Sequence, residues 1–201
     1  MKGNRERVLA ALRFESGAGV PYEIGFNKGA LEKMVRRTGD RDFARHTGSH
    51  LGILSLSAPE TQFRPGFFRD EYGVVWNRSG ADRDVGNIEG QVVGSLEELE
   101  NYRPPAVDRA WVLSRAKALS ELDDGNFHVA QLHFSVFERA WSLCGMENLL
   151  IWMLDEPEAV RGFLDKITSR CLEVLETSFT YPYDCVYTGD DWGQQIGRAH
   201  V

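Results

Sequence analysis

The fold is most clearly predicted by one stretch near the end of the sequence, Val186-Tyr187-Thr188-Gly189-Asp190-Asp191-Trp192-Gly193. It begins in an apolar run and breaks at Gly189 into two adjacent acids, which indicates a strand that ends in a polar loop. Ligands of parallel α/β proteins bind outside the carboxyl ends of the strands, so acids at this place are expected to face a pocket. The alternative is a plain turn in which the Asp side chains cap the next helix.

The composition is that of a globular protein. The chain has 201 residues, of which 42% are apolar and 11% aromatic, and its net charge is −7. This length predicts one domain or at most two, and an acidic chain without a basic stripe gives no support for nucleic-acid binding. The N-terminus has no apolar leader, and the longest apolar run, Leu149 to Leu154, is too short to span a bilayer. We therefore expect a cytoplasmic protein that binds neither nucleic acid nor membrane.

Strand and helix patterns alternate along the chain. Apolar runs predict strands at 20–26, 51–56, 127–132 and 185–187, with helical patterns between them. The segment 63–93 is punctuated by glycines, which predicts an excursion of hairpins outside any parallel sheet. Strands that alternate with helices favour right-handed crossovers and a parallel sheet. The last strand has no helix behind it, so one apolar face of that sheet is expected to lack its cover.

Three helix boundaries follow from side-chain chemistry. Ser95 and Glu98 have the spacing of a capping box, in which hydroxyl and carboxylate satisfy each other's backbone donors. Gly145 is expected to divide two apolar helices. Asp155 and Pro157 predict the start of the clearest helix, with Asp as N-cap and Pro in the first turn.

Several segments, taken in order, resemble the uroporphyrinogen decarboxylase superfamily. They are Asn4–Leu12, Asp70–Trp76, Phe137–Trp141 with Asn148–Leu150, and Tyr187–Gly193. Members of that superfamily are (β/α)8 TIM barrels, and they include methylcobalamin:coenzyme M methyltransferases. Because such a barrel needs about 250 residues, the resemblance implies an α/β chain that holds about the first half of one barrel domain, over residues 1–195.

The last six residues, Ile196-Gly197-Arg198-Ala199-His200-Val201, resemble no segment of the superfamily. They match one reading frame of a widely used sequencing adapter, so we expect read-through at 196–201 and an authentic sequence that ends near Gln194 or Gln195. His200 therefore carries no functional argument. A chain holding half of a barrel is expected to be inactive by itself.

The resemblance implies two kinds of chemistry. Uroporphyrinogen decarboxylases hold the substrate's carboxylates with an Arg-rich motif after the first strand, and its pyrroles with an Asp after the second. The segments Gly25–Gly29 and Ser55–Pro59 contain neither. The methyltransferase branch binds zinc through His-x-Cys and a later Cys, which belong to the other half of the barrel. The sequence therefore favours a methyltransferase-type enzyme with a corrinoid protein as partner; a divergent uroporphyrinogen decarboxylase and a non-catalytic small-molecule-binding barrel are the alternatives.

Five residues are candidates for a substrate pocket. They are Glu23, His133, Asp190, Asp191 and Trp192. Glu23 is expected near the end of the first predicted strand, and His133 directly follows the third. A hydrogen-bonded strand-end imidazole is the alternative for His133, and simple packing is the alternative for Trp192. The three cysteines show no zinc-site spacing, so no cofactor is predicted in this part of the protein, while zinc is a prediction for the complete barrel.

Overall fold

The computed structural model describes residues 3–17, 19–80 and 84–190, apart from the side chain of Arg45. The helices are α1 (Asn4–Leu12), α2 (Lys28–Thr38), α3 (Leu96–Asn101), α4 (Arg109–Ser120), α5 (Phe137–Cys144), α6 (Met146–Asp155) and α7 (Pro157–Ser178), with a 3-10 turn at Phe43–His46. The strands are β1 (Leu51–Ser55), β2 (Thr61–Arg64), β3 (Phe67–Arg69), β4 (Val75–Asn77), β5 (Asn87–Ile88), β6 (Phe127–Leu132) and β7 (Cys185–Thr188). The segment 196–201, for which read-through is predicted, lies outside the described residues.

A parallel sheet of three strands organises the molecule, with β6 in the middle between β1 and β7. Its register aligns Ile53, Val129 and Cys185 across the three strands. The predicted strands 51–56, 127–132 and 185–187 are thus confirmed. Because the strands are parallel, their carboxyl ends meet at one edge of the sheet, and the residues that follow them become neighbours.

Residues 20–26 do not form the predicted first strand. They run beside the beginning of β1, where the amide of His50 donates to the carbonyl oxygen of Tyr22 at 2.9 Å. The neighbouring backbone amides are bound by side chains. The Tyr22 amide lies 3.1 Å from His50 Nδ1, and Ser49 Oγ accepts from the Ile24 amide at 3.2 Å. The prediction was wrong because these side chains take the place that a neighbouring strand would have in a ladder.

The two faces of the parallel sheet have different cover. One face joins the main core with α4 and α7, and Leu132 of β6 is buried there. On the other face α1 packs Val8 against Val129, but Ile53 and Tyr187 are 40% and 47% exposed. The described residues thus form an open sheet covered by helices. The α/β class and the parallel sheet are confirmed, while a complete barrel is not shown.

The predicted hairpin excursion is also confirmed. Strands β2 to β5 form a separate antiparallel sheet of four strands in sequential order. Trp76 of β4 is buried and joins this sheet to the main core. Gly86 closes the last hairpin with φ +80°, where an added Cβ would lie 2.5 Å from the carbonyl oxygen of Asn77. Glycine is therefore required at this turn.

The three predicted helix boundaries are confirmed, but one of the predicted caps is wrong. Ser95 and Glu98 form the capping box, and Gly145 separates α5 from α6 with φ +82°. Asp155 does not cap α7, because it is the last residue of α6, and Glu156 occupies the N-cap position without a side-chain bond. Pro157 is the first residue of α7, as expected from its fixed φ. A single residue links the two helices, which leaves no room for a separate cap.

The longest helix, α7, has 22 residues, and it carries charged side chains along its length. Within the part of the chain that the structure describes, no helix combines the length and the apolar character needed to cross a bilayer.

Candidate functional site

A cleft of about 610 Å³ opens at the carboxyl ends of β1 and β6. Ser57 and His133 follow these two strands, Trp76 and Arg78 contribute from the hairpin sheet, and Arg115 contributes from α4. The volume lies in the range of small-molecule sites, about 300–1,000 Å³. The position is also the one at which parallel α/β proteins bind their ligands. We therefore take this cleft as the candidate site.

His133 is the histidine that lines the cleft. The next residue, Phe134, has a left-handed backbone with φ 52°, which turns the chain away at the end of β6. The Phe134 ring packs edge-on against Trp76, with ring centroids 5.4 Å apart. Although the His133 ring reaches solvent in the cleft, partial desolvation lowers its pKa. The imidazole is therefore neutral near pH 7 and can accept a proton.

Three of the four carboxylates that line the cleft each bind a guanidinium group, and the fourth, Asp84, accepts from the amide of Lys28 at 3.2 Å. The pairs are Asp70 with Arg139, Glu71 with Arg170, and Glu60 with Arg78. Asp70 Oδ2 lies 2.6 Å from Arg139 Nη1, and Asp70 Oδ1 accepts from the amides of Tyr72 and Val74. Because a guanidinium group already binds each of these three carboxylates, they are poor acceptors for a ligand's N–H groups.

Tyr72 joins two of these pairs. The guanidinium groups of Arg139 and Arg170 lie over its ring, 4.0 and 4.4 Å from the centroid, and Arg170 Nη1 donates to the phenol oxygen at 2.7 Å. Burial raises the pKa of Tyr72 to about 12, so the phenol keeps its proton at neutral pH. The cluster connects the hairpin sheet to α5 and α7, and it gives the wall of the cleft a fixed shape.

Arg115 is held differently from the other cleft arginines. Its Nε donates to the carbonyl oxygen of Ser55 at 3.2 Å, and its guanidinium carbon lies 5.4 Å from the centre of the Trp111 ring. Trp111 is itself fixed by a 2.9 Å bond from its Nε1 to the carbonyl oxygen of Ser57. Within the described ranges no carboxylate forms an ion pair with Arg115.

Asp190 lies at the start of α5. Its half-buried carboxylate accepts four hydrogen bonds, from Ser135 Oγ at 3.1 Å and from the amides of Val136, Phe137 and Glu138 at 3.2, 2.9 and 2.7 Å. A carboxylate at this position satisfies donors that α5 cannot satisfy by itself. Asp190 therefore caps a helix, and the helix is one that precedes it in the sequence.

The structure brings one predicted pocket residue, His133, into the cleft. Glu23 is exposed on the segment before α2 and does not line the cleft. Asp190 contacts the helix terminus beside it. Asp191 and Trp192 lie outside the described residues, so their role stays a prediction.

Sequence reasoning missed the charged wall of the cleft. Asp70 and Arg139 fall in two segments that carry the family resemblance, but nothing in either segment shows that they form a pair. Arg115 and Trp111 are spaced i, i+4 on α4, which was the one available hint that they share a helix face. Such a pair is common on solvated helices, so the spacing does not indicate a site.

Metal ligands are scarce in this part of the protein. Within 3–17, 19–80 and 84–190, no three His, Cys, Asp or Glu side chains lie close enough together to hold a metal ion. Burial raises the pKa of the Cys144 thiol to about 12 and also raises that of Cys171, which keeps both thiols protonated at neutral pH. The zinc ligands that the resemblance implies were predicted for the other half of the barrel, so zinc stays a prediction for the complete barrel.

The protein is of the α/β class, because its parallel sheet is packed with helices. Its charged cleft lies at the carboxyl ends of the strands, where proteins of this class bind their ligands. The sequence model of the uroporphyrinogen decarboxylase (URO-D) family matches residues 81–200, which is more than half of the chain. The chain therefore belongs to the URO-D family, and the predicted superfamily is confirmed. No curated protein and no solved structure was found to match it.

Proposed function

We propose that the chain is part of a methyltransferase-type enzyme of the URO-D family, which moves a methyl group between a corrinoid and a small thiol acceptor. The observation that carries this proposal is the charge pairing in the cleft. Of its three arginines, Arg78 and Arg139 are bound by carboxylates, and Arg115 alone has no such partner among the described residues. One free guanidinium suits an acceptor with one anionic group.

A porphyrinogen would place different demands on the same cleft. It carries several carboxylates, which call for several free guanidinium groups, and pyrrole N–H groups, which call for a free carboxylate. Asp70, Glu60 and Glu71 are all engaged by arginines. Binding a porphyrinogen here would require these ion pairs to open, and separating a buried pair is costly.

His133 has the chemistry that thiol methylation needs. The thiolate and not the thiol is the nucleophile, so the S–H proton must be removed. A neutral His133 imidazole in the cleft can accept it, because desolvation lowers the pKa of this side chain. A bound methylcorrinoid would supply the methyl group, and His133 would hold the proton that the thiol gives up.

A divergent uroporphyrinogen decarboxylase is the second candidate. In its favour, the cleft contains three arginines together with the rings of Trp76, Trp111 and Phe134, a set that suits a flat polycarboxylate if the ion pairs rearrange. This alternative predicts that a ligand displaces Glu60 or Asp70 from its arginine.

The two reactions can be compared directly with protein expressed from the contiguous source gene. One assay follows the loss of methylcobalamin absorbance with a thiol acceptor, and the other follows conversion of uroporphyrinogen to coproporphyrinogen by chromatography. We expect methyl transfer, and we expect H133Q to slow it about 100-fold or more at pH 7. The matched control is H46Q, because His46 is an exposed imidazole paired with Asp40 outside the cleft.

Each result has a definite meaning. Porphyrinogen decarboxylation would overturn the proposal in favour of the second candidate. Turnover of neither substrate would favour a non-catalytic binding barrel. Sequencing the source gene beyond the codon for Gln194 provides an independent check, because the methyltransferase proposal requires a His-x-Cys motif and a later Cys.

A further inference from the structure

The hairpin sheet turns one face to the core and the other to solvent. In β3, Phe68 pairs with the buried Trp76 and packs toward the main core, whereas Phe67 and Arg69 alternate with it onto the opposite face. All four residues of β2 are exposed. The outer face of β2 and β3 is therefore open surface, and its residues do not line the cleft.

Two arginines are stacked on two phenylalanine rings at this surface. The guanidinium carbon of Arg64 lies 3.4 Å from the centre of the Phe67 ring, and that of Arg69 lies 5.0 Å from the centre of the Phe63 ring. Within the residues that the structure describes, neither guanidinium group forms an ion pair or a hydrogen bond. Stacking holds each group on its ring while its N–H donors stay available. We refer to these four residues as the outer patch.

The charge of the outer patch is opposite in sign to the net charge of the chain, which is −7. In the cleft wall, by contrast, Arg78 and Arg139 are bound by carboxylates. Two guanidinium groups without such partners on one exposed surface attract a partner that carries carboxylates. The ring of Phe63 is 48% exposed and adds apolar contact area. Arginine and aromatic side chains together are the residue types that protein interfaces favour.

Backbone groups are also available beside the outer patch, because β2 is an edge strand of the hairpin sheet. Among the described residues, the open side of β2 forms no backbone hydrogen bond. The register with β3 shifts between Gln62 and Arg64, which places Phe63 in a bulge, and Pro65 follows the strand. The bulge and the proline confine regular pairing to the residues before Phe63. An extended segment of another protein can therefore add here as a short strand.

We infer that the outer patch and the edge of β2 form a docking surface for a short acidic segment of a partner protein. The segment adds as a strand beside Thr61 and Gln62, and its carboxylates bind Arg64 and Arg69. A nucleic-acid strand fits this surface less well, because its phosphates are repelled by the acidic chain and it has no amide groups to pair with β2. The surface is separate from the cleft, so this inference does not depend on the proposed function.

Fluorescence anisotropy with the 201-residue protein tests the docking surface. The probe is a labelled peptide of about eight alternating valine and glutamate residues, which is long enough to cover a short strand. A matched probe has lysine in place of glutamate. We expect the acidic peptide to bind about tenfold or more tightly than the basic one. The double variant R64E/R69E should reverse this preference, and R69Q alone should weaken binding of the acidic peptide severalfold.

The matched control is the double variant R36E/R37E, which makes the same change of charge on α2. Both of these arginines are exposed, and Arg36 lies 3.8 Å from Glu32 on the same helix. This variant should keep the preference for the acidic peptide. Thermal unfolding shows whether each variant is folded, and R69Q decides the matter if R64E/R69E does not fold. Hydrogen exchange followed by mass spectrometry should show slower exchange of the β2 amides when the acidic peptide is bound.

Several results would overturn the inference. One is a folded R64E/R69E or R69Q variant that prefers the acidic peptide as strongly as the parent does, and another is equal binding of both peptides by the parent. Exchange of the β2 amides that does not change on binding would refute the added strand. Parent protein that binds labelled oligothymidylate but not the acidic peptide would assign the outer patch to nucleic acid. Self-association in sedimentation experiments that is lost in R64E/R69E would assign it to a second copy of this chain.

Discussion

Replacing Asp190 by alanine tests whether this residue serves the fold or the ligand. The substitution removes the four hydrogen bonds that the carboxylate accepts from described residues at the start of α5. Loss of an N-cap costs about 0.5–2 kcal/mol, and hydrogen bonds to a charged group contribute about 1.5–3 kcal/mol each. Since the four bonds share one carboxylate and do not add, we expect the free energy of unfolding to fall by about 2–4 kcal/mol.

Urea denaturation followed by circular dichroism measures this loss. With a slope of about 2 kcal/mol per molar urea, the midpoint of D190A should fall by about 1–2 M. D190N keeps one acceptor oxygen and should lose about half as much. The control is D165N, because Asp165 is exposed on α7, and the change there should stay within about 0.5 kcal/mol.

Binding separates the two roles of Asp190. If the carboxylate only caps α5, D190N should bind 3-(methylthio)propionate, a probe with one anionic group and a thioether, with unchanged affinity at temperatures at which it is folded. An unfolding free energy that does not change, together with a lost affinity for the probe, would refute the capping argument. Asp190 would then be the pocket acid that the sequence suggested.

Three further predictions concern the cleft wall, the glycines and the titration of the cleft. R139M leaves Asp70 buried without its partner and should lower the free energy of unfolding by about 3–5 kcal/mol in urea, whereas equal stability of the variant would contradict the network. G162A should raise the melting temperature, because Gly162 lies within α7 with open space around an added Cβ, and alanine stabilises a helix by about 0.5–1 kcal/mol relative to glycine. G86A should lower the melting temperature, because its Cβ would collide with the backbone. In an NMR titration, the His133 ring should show a midpoint below the ordinary pKa of about 6.5. Because the folded state binds this proton more weakly than the unfolded state does, protonation of His133 should destabilise the protein as the pH falls through that range. A midpoint above about 6.5 would contradict the desolvation of the ring.

Local patterns were sufficient for most of the secondary structure. The strand at 127–132 was predicted with the boundaries it has, because an apolar run between turn signals leaves few alternatives. The capping box at Ser95 and the break at Gly145 were equally local, since each depends on residues within four positions. The prediction of a strand at 20–26 was wrong, because the backbone there is bound by the side chains of Ser49 and His50, which are distant in sequence.

The candidate site was only partly predictable. His133 could be found, because a polar residue directly after a buried strand belongs to the carboxyl edge of a parallel sheet. Arg115 could not be found from the sequence. It is a candidate for ligand binding because the carbonyl of Ser55, 60 residues away, holds it in the cleft, and because no carboxylate pairs with it among the described residues. A charged residue on a helix is ordinary until its neighbours are known.

By itself the sequence determined three of the four strands predicted for the parallel sheet, the antiparallel excursion and the membership in the URO-D family. These depend on local periodicity and on motifs that persist along the chain. Only the tertiary structure decided which charges neutralise one another. Asp70 and Arg139 are 69 residues apart, and Glu71 and Arg170 are 99 apart, yet each pair is in contact. Electrostatic pairing depends on distance in space, so the one cleft arginine without a carboxylate partner among the described residues is recognised only when the chain is folded.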